Sequence, residues 1–356
     1  MMIITSQQLT AFLLGCLLVF SCNANRFESS NTNTPQPENH SETASIQKPI
    51  QPATAMRNTN QPAQAPAEPV SQPVSDNNAL PTAVSDNQNQ RQAKQTALQF
   101  PWLTTPANEA DALQNRIAPP AGYERIPMPA GSFAGYLRSL PLKPGKPPVL
   151  LFDGSPKYNQ SAHAAVFNID PGTEDLQQCA DAVMRLRAEY LWATGQYNSI
   201  HFNFTSGHPA QYSQWRQGYR PVISGNKVSW QKQASAQNSV SYASFRQYLK
   251  QVFTYAGTYS LSKELQPVPN LQNIASGDVF IKGGMPGHVV LVMDVAQNAE
   301  GKKVFLLAQS YMPAQEIHLL INPDNPDLSP WYSAQFTGDL VTPEWTFAPN
   351  SLKRFE

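Results

Sequence analysis

The sequence predicts an α+β fold, and three observations carry that expectation. Apolar residues recur at helical spacing in two separate stretches, a long β-hairpin pattern lies near residue 300, and short apolar runs punctuated by Gly and Pro fill the rest. All six Trp lie after Leu98, so one core belongs to the region 99–356.

The hairpin is the clearest element. Gly277 to Tyr311 reads GDVFIKGGMPGHVVLVMDVAQNAEGKKVFLLAQSY. Val279 to Ile281 is a short strand, GGMPG is a turn, and the runs His288 to Val295 and Lys303 to Gln309 flank the polar, Gly-containing NAEGK. A turn centred between Ala299 and Glu300 sets His288 across from the region Gln309 to Tyr311. The first helix is expected from Thr173 or Gln177 to Thr194, opening with acids that suit the helix dipole and stopping at Gly195. Val183, Leu186, Tyr190 and Leu191 form its apolar stripe, with Cys179 one turn earlier, while Arg185, Arg187 and Glu189 read as a solvated face. The second helix, Tyr242 to Ala256, carries Phe245, Tyr248, Leu249, Val252 and Phe253 and stops at Gly257.

The remaining elements are shorter. FPWLTTP reads as an entry strand, Asp111 to Tyr123 as a short helix, and Ser132 to Leu140 as a strand and loop. Val149 to Phe152, Ala164 to Ile169 and IHFNF are further strands, and a strand pair turns around Ser224 to Lys227. The tail after Leu320 reads as a surface-wrapping segment with one last short strand.

The first quarter is different in kind. Leu9 to Phe20 is an uncharged apolar run of signal-peptide length, too short to span a bilayer comfortably. The junction VFSC resembles a bacterial lipobox, which implies lipidation of Cys22 and a leader over 1–22. Residues 23–98 are rich in Asn, Gln, Ser, Thr, Pro and Ala, a composition expected to stay disordered. As a flexible coil, that tether would separate its ends by on the order of 50 Å. The expected setting is the bacterial cell envelope, facing the periplasm or exterior, with the membrane as a partner through the lipid. Formal net charge is zero, which argues against nucleic acid as a partner.

Processing would leave Cys179 as the one free thiol in an oxidising compartment. A small buried residue on a core-facing helix and a nucleophile at a helix N-terminus both fit that position. The order of a helix-borne Cys, a strand-borne His and a polar residue on the next strand resembles the papain-like cysteine hydrolases. GDVFIKGGMPGHVVLVMDV is similar to the segment that introduces the catalytic His in their NlpC/P60 and amidase branches. That resemblance implies Cys179 as nucleophile, His288 as general base and Gln309, or its neighbour Ser310, as the residue orienting the imidazole. It further implies an antiparallel sheet packed on the Cys179 helix, with an inserted lobe over Phe202 to Ser276. The expected reaction is cleavage of an amide bond in a cell-wall or envelope peptide, with no cofactor. The alternative is a non-catalytic binding or structural lipoprotein with a buried Cys179.

Other constellations weigh less. His201 and His208 lack a ligand partner at metal-binding spacing. Asp153, Asp175, Asp278, Asp294 and Glu316 could supply a carboxylate pair for glycoside cleavage, and Trp215, Tyr219 and Trp230 a groove or a core. Over Phe100 to Phe355, the combination QQCADAVMRLRAEYL, IHFNFTSG, WRQGYRP, SGNKVSW, GGMPGHVVLVMDV and LAQSYMPAQEIHLL is similar to an uncharacterised family of exported bacterial lipoproteins, domain of unknown function 4846.

Overall fold

The computed structural model describes residues 100–236 and 241–356. The expected leader with Cys22 and the tether over 23–98 lie outside the described residues. What is described is a mixed α/β domain with a large antiparallel sheet and six α-helices among those residues.

In the N-terminal part, α1 (Leu113–Arg116) precedes β1 (Tyr123–Arg125), and α2 (Phe133–Ser139) replaces the strand expected at Ser132 to Leu140. The reason is a cap: the Ser132 hydroxyl accepts the Gly135 N–H at 3.2 Å, which starts a helix that aromatic content alone disguises. No strand forms at FPWLTTP, and Val149 to Phe152 contributes only isolated bridges. After β2 (His163–Val166) comes α3 (Cys179–Ala193), which begins later than the expected Thr173 or Gln177.

The expected solvated face of α3 is also corrected. Arg185 and Glu189 are both completely buried, paired with each other at 3.3 Å. Arg185 also reaches the Asp170 carboxylate at 2.9 Å and the Gln177 side-chain oxygen at 2.6 Å. A buried guanidinium needs several acceptors, and here they lie on the segment that leads into Cys179. Charges at i and i+4 on a helix look alike in sequence whether they face water or each other.

Between α3 and the long hairpin lie two small hairpins, β3 (His201–Asn203) with β4 (Pro209–Gln211) and β5 (Tyr219–Ser224) with β6 (Lys227–Lys232). The helices α4 (Tyr212–Arg216), α5 (Tyr242–Tyr255) and α6 (Thr258–Glu264) belong to the same region, and Phe245, Tyr248, Leu249 and Val252 of α5 are buried. Trp215 lies in this core.

The main sheet uses β7 (Gln266–Pro267), β8 (Val279–Lys282), β9 (His288–Asn298), β10 (Lys303–Gln309), β11 (His318–Leu320), β12 (Trp331–Ser333) and β15 (Leu352–Arg354), with β13 (Leu340–Val341) and β14 (Thr346–Phe347) forming a separate pair. Its order is β2-β11-β10-β9-β8-β15-β7, with β1 also on β9 and β12 on β10, every pairing antiparallel. The tail is therefore not a simple wrap with one strand. Its last strand enters the sheet between β8 and β7.

Both faces of this sheet are covered. Val289, Leu291 and Met293 pack with Val183 and Leu186 of α3. Val290, Val292 and Val295 pack with Tyr332, Leu340 and Phe347 from the tail. A strand buried on both sides reads as a continuous apolar run, which is the pattern of HVVLVMDV. A register shift between Leu306 and Leu307 breaks the alternation beside Asp294. That carboxylate is fully buried and lies between Arg125, at 2.6 Å, and Arg138.

Candidate functional site

One cleft of about 690 Å³ is lined by both Cys179 and His288. Three structural features build it. The first turn of α3 presents Cys179, the start of β9 presents His288, and the loop between β8 and β9 closes one side against the N-terminus of α6. That loop lies very close to α6. A Cβ on Gly287 would stand 2.3 Å from the Gly284 carbonyl oxygen and 2.4 Å from the Thr258 hydroxyl, so only glycine fits immediately before His288.

The hydrogen bonds around His288 form a network in which each donor is assigned. His288 Nε2 lies 2.8 Å from Gln309 Oε1. The Gln309 amide nitrogen donates to Glu344 Oε2 at 2.7 Å and approaches His318 Nε2 at 3.3 Å. His318 Nδ1 faces the Glu316 carbonyl at 2.9 Å, so that nitrogen carries the proton and Nε2 accepts. With both amide hydrogens of Gln309 used, its oxygen is the end that faces His288. The His288 proton must then sit on Nε2, which leaves Nδ1 with a free lone pair. Lys157, itself buried, pairs with Glu344.

Ser310 takes a different part. Its hydroxyl lies 3.0 Å from the Gln177 carbonyl and 2.9 Å from that of Gln315, which ties the end of β10 to the entry of α3 rather than to His288. The structure thus brings His288 and Gln309 into direct contact and sets Cys179 in the same cleft.

Burial dominates the electrostatics. His288 is boxed by Tyr311, Trp345 and Phe347, whose ring centroids lie 4.7, 5.3 and 5.9 Å away. This desolvation pulls its pKa down to about 4, against the opposing effect of Gln309 and Glu344. Burial pushes the Cys179 thiol up to about 11, with Asp181 adding to the rise and the backbone N–H groups of Ala180 and Val289 opposing it. At neutral pH the pair is a thiol and a neutral imidazole. Asp181 is the third polar group here. Its Oδ2 accepts the Gln178 N–H at 3.1 Å, its Oδ1 is buried without a partner, and burial raises its pKa well above the carboxylate range.

The other acids considered from sequence have structural partners or lie apart. Asp278 is bound by Arg354, Glu316 by Lys143 and Asp294 by its two arginines, and Asp153 bonds the backbone of Ser155. Asp175 stands at the cleft mouth and accepts the Ala314 N–H at 2.7 Å. His201 and His208 are exposed, and among the described residues no group of three His, Cys, Asp or Glu side chains could hold a metal ion.

Glu344, Lys157 and His318 escaped sequence reasoning. Each lies far along the chain from His288 and sits in a stretch without a periodic pattern. The only available signal was the spacing of polar residues on β10 and β11, where Gln309 pairs directly with His318.

Fold and cleft together define a mixed α/β domain with a thiol and an oriented imidazole lining one cavity. The chain belongs to the family described as domain of unknown function (4846), whose model matches residues 113–354. No curated protein matches it. No solved structure matches it either.

Proposed function

We propose that the protein is a lipid-anchored cysteine hydrolase of papain-like type, held at the cell envelope through Cys22 and cleaving amide bonds in envelope peptides. The observation that carries the reading is a single cleft lined by both Cys179 and His288, with Gln309 and Glu344 holding the His288 proton on Nε2 so that Nδ1 keeps its lone pair.

In the reaction, Cys179 Sγ attacks the substrate carbonyl carbon while its proton passes to His288 Nδ1. A C–S bond forms, and the carbonyl oxygen becomes an oxyanion beside the backbone N–H groups of the first turn of α3. The C–N bond then breaks, the imidazolium returns its proton to the departing amine, and a thioester remains. Water activated by His288 cleaves that thioester, releasing a carboxylic acid and restoring the thiol. Because both resting groups are neutral, the charge pair exists only during the reaction, with Gln309 and Glu344 supporting the imidazolium.

A second reading is favoured by the burial of the thiol and its high pKa: a non-catalytic binding lipoprotein in which Cys179 only packs. Alkylation by iodoacetamide separates the two. For a hydrolase, the folded protein is labelled at Cys179 near neutral pH, and His288→Ala slows labelling by about 10-fold or more. Absence of labelling until denaturant is added would establish the second reading.

A further inference from the structure

The mouth of the cleft carries chemistry that the reaction alone does not require. Six large apolar side chains are exposed among the described residues, and three of them, Tyr259, Met285 and Met312, line this one cleft. Met285 is completely exposed, Met312 more than half exposed and Tyr259 half exposed. They come from three different places: the first turn of α6, the loop between β8 and β9, and the loop after β10. Phe253 and Trp345 continue the apolar surface inward.

Exposed apolar groups gathered on one rim mark a binding surface rather than the ordinary scatter of surface hydrophobics. Methionine suits that use, because its unbranched, polarizable side chain follows differently shaped apolar partners. The charged groups sharpen the point. No Lys or Arg lines the cleft, and its acids are Asp175 at the mouth and Asp181 at the floor, the latter favouring its neutral form through burial. An anionic ligand would meet the Asp175 carboxylate with no cation to pair against.

We infer that the cleft takes an apolar peptide segment without carboxylates beside the scissile bond, held by Met285, Met312 and Tyr259. This rests on the hydrolase reading and narrows its substrate. It selects hydrophobic stretches of envelope polypeptides over peptides rich in acidic residues.

Two peptidyl chloromethyl ketones of equal length test it, acetyl-Leu-Leu and acetyl-Glu-Glu. Each reacts by forming a C–S bond to Cys179 Sγ as chloride leaves, with the thiol proton passing to His288. Iodoacetamide, too small to reach the rim, serves as the reference. The Leu-Leu reagent is expected to label at least about 10-fold faster than the Glu-Glu reagent after normalisation to iodoacetamide. The double variant Met285→Ser with Met312→Ser should slow the Leu-Leu reagent about 5-fold or more and leave iodoacetamide labelling unchanged. Equal rates for the two peptides, or an unaffected double variant, overturn the substrate assignment while leaving the hydrolase standing. No labelling by iodoacetamide overturns the hydrolase reading, and this inference with it.

Discussion

Glu344 decides which end of the Gln309 amide faces His288. The Gln309 nitrogen lies 2.7 Å from the Glu344 carboxylate, and its oxygen lies 2.8 Å from His288 Nε2. Turning the amide the other way would set its oxygen against the Glu344 carboxylate oxygen and against His318 Nε2, the accepting nitrogen of that ring. The imidazole tautomer is thus set two side chains away from the ring.

Gln309→Leu keeps the volume and removes the bonds to His288, Glu344 and His318. It should cost about 2 kcal/mol of stability, since His288, His318 and Glu344 each lose a partner, and slow Cys179 alkylation by about 10-fold. Urea denaturation and timed iodoacetamide labelling on the same preparation check the two effects separately.

The buried histidines make stability depend on pH in a definite direction. Burial pulls His288 to about 4 and His318 to about 3, below the value near 6.5 of an unfolded chain. The native state therefore binds fewer protons, so their contribution is complete above about pH 6.5 and is lost as pH falls through about 4 for His288 and about 3 for His318. Lys157, His163 and His288 all disfavour charge on His318. His318→Gln removes one of these groups and should flatten the stability profile between pH 6.5 and 4 by about 1.4 kcal/mol per pH unit. Urea midpoints at several pH values measure the slope.

Asp294 offers a test of the sheet rather than the cleft. Its carboxylate is fully buried between Arg125 and Arg138. Asp294→Ala leaves two guanidinium groups without their anion, Arg138 among buried side chains. A loss of about 3–5 kcal/mol is expected, read as a lower denaturation midpoint.

Gly287→Ala addresses the loop that precedes His288. The new methyl group would meet backbone oxygens of Gly284 and Lys282 at 2.3 and 2.8 Å, and carbonyl oxygens cannot step aside as a side chain can. Destabilisation of about 1–3 kcal/mol is expected from differential scanning calorimetry, together with altered Cys179 labelling as His288 shifts.

Much of this was legible because it was local. The hairpin announces itself through two apolar runs and a Gly-containing turn, and that pattern alone sets Gln309 near His288. Helix α5 was legible for the same reason, with a clean apolar stripe and a stopping glycine. Three features were not. The Ser132 cap was outweighed by the aromatic and apolar residues that follow it, and the Arg185–Glu189 pair had a solvated reading of equal local merit. Glu344 reaches the cleft from 35 residues beyond Gln309, a relation that no periodicity encodes.

The position of β15 bears on how the chain is assembled. β7 and β8 are separated in the sheet by a strand, Leu352–Arg354, that comes after β9 and β10 in the chain and pairs with both β7 and β8. A polypeptide emerging from its N-terminus thus holds two strand edges open while β9 and β10 can already pair. A chain lacking Leu352 to Arg354 would leave the facing edges of β8 and β7 without their shared partner, two open strand edges in one sheet.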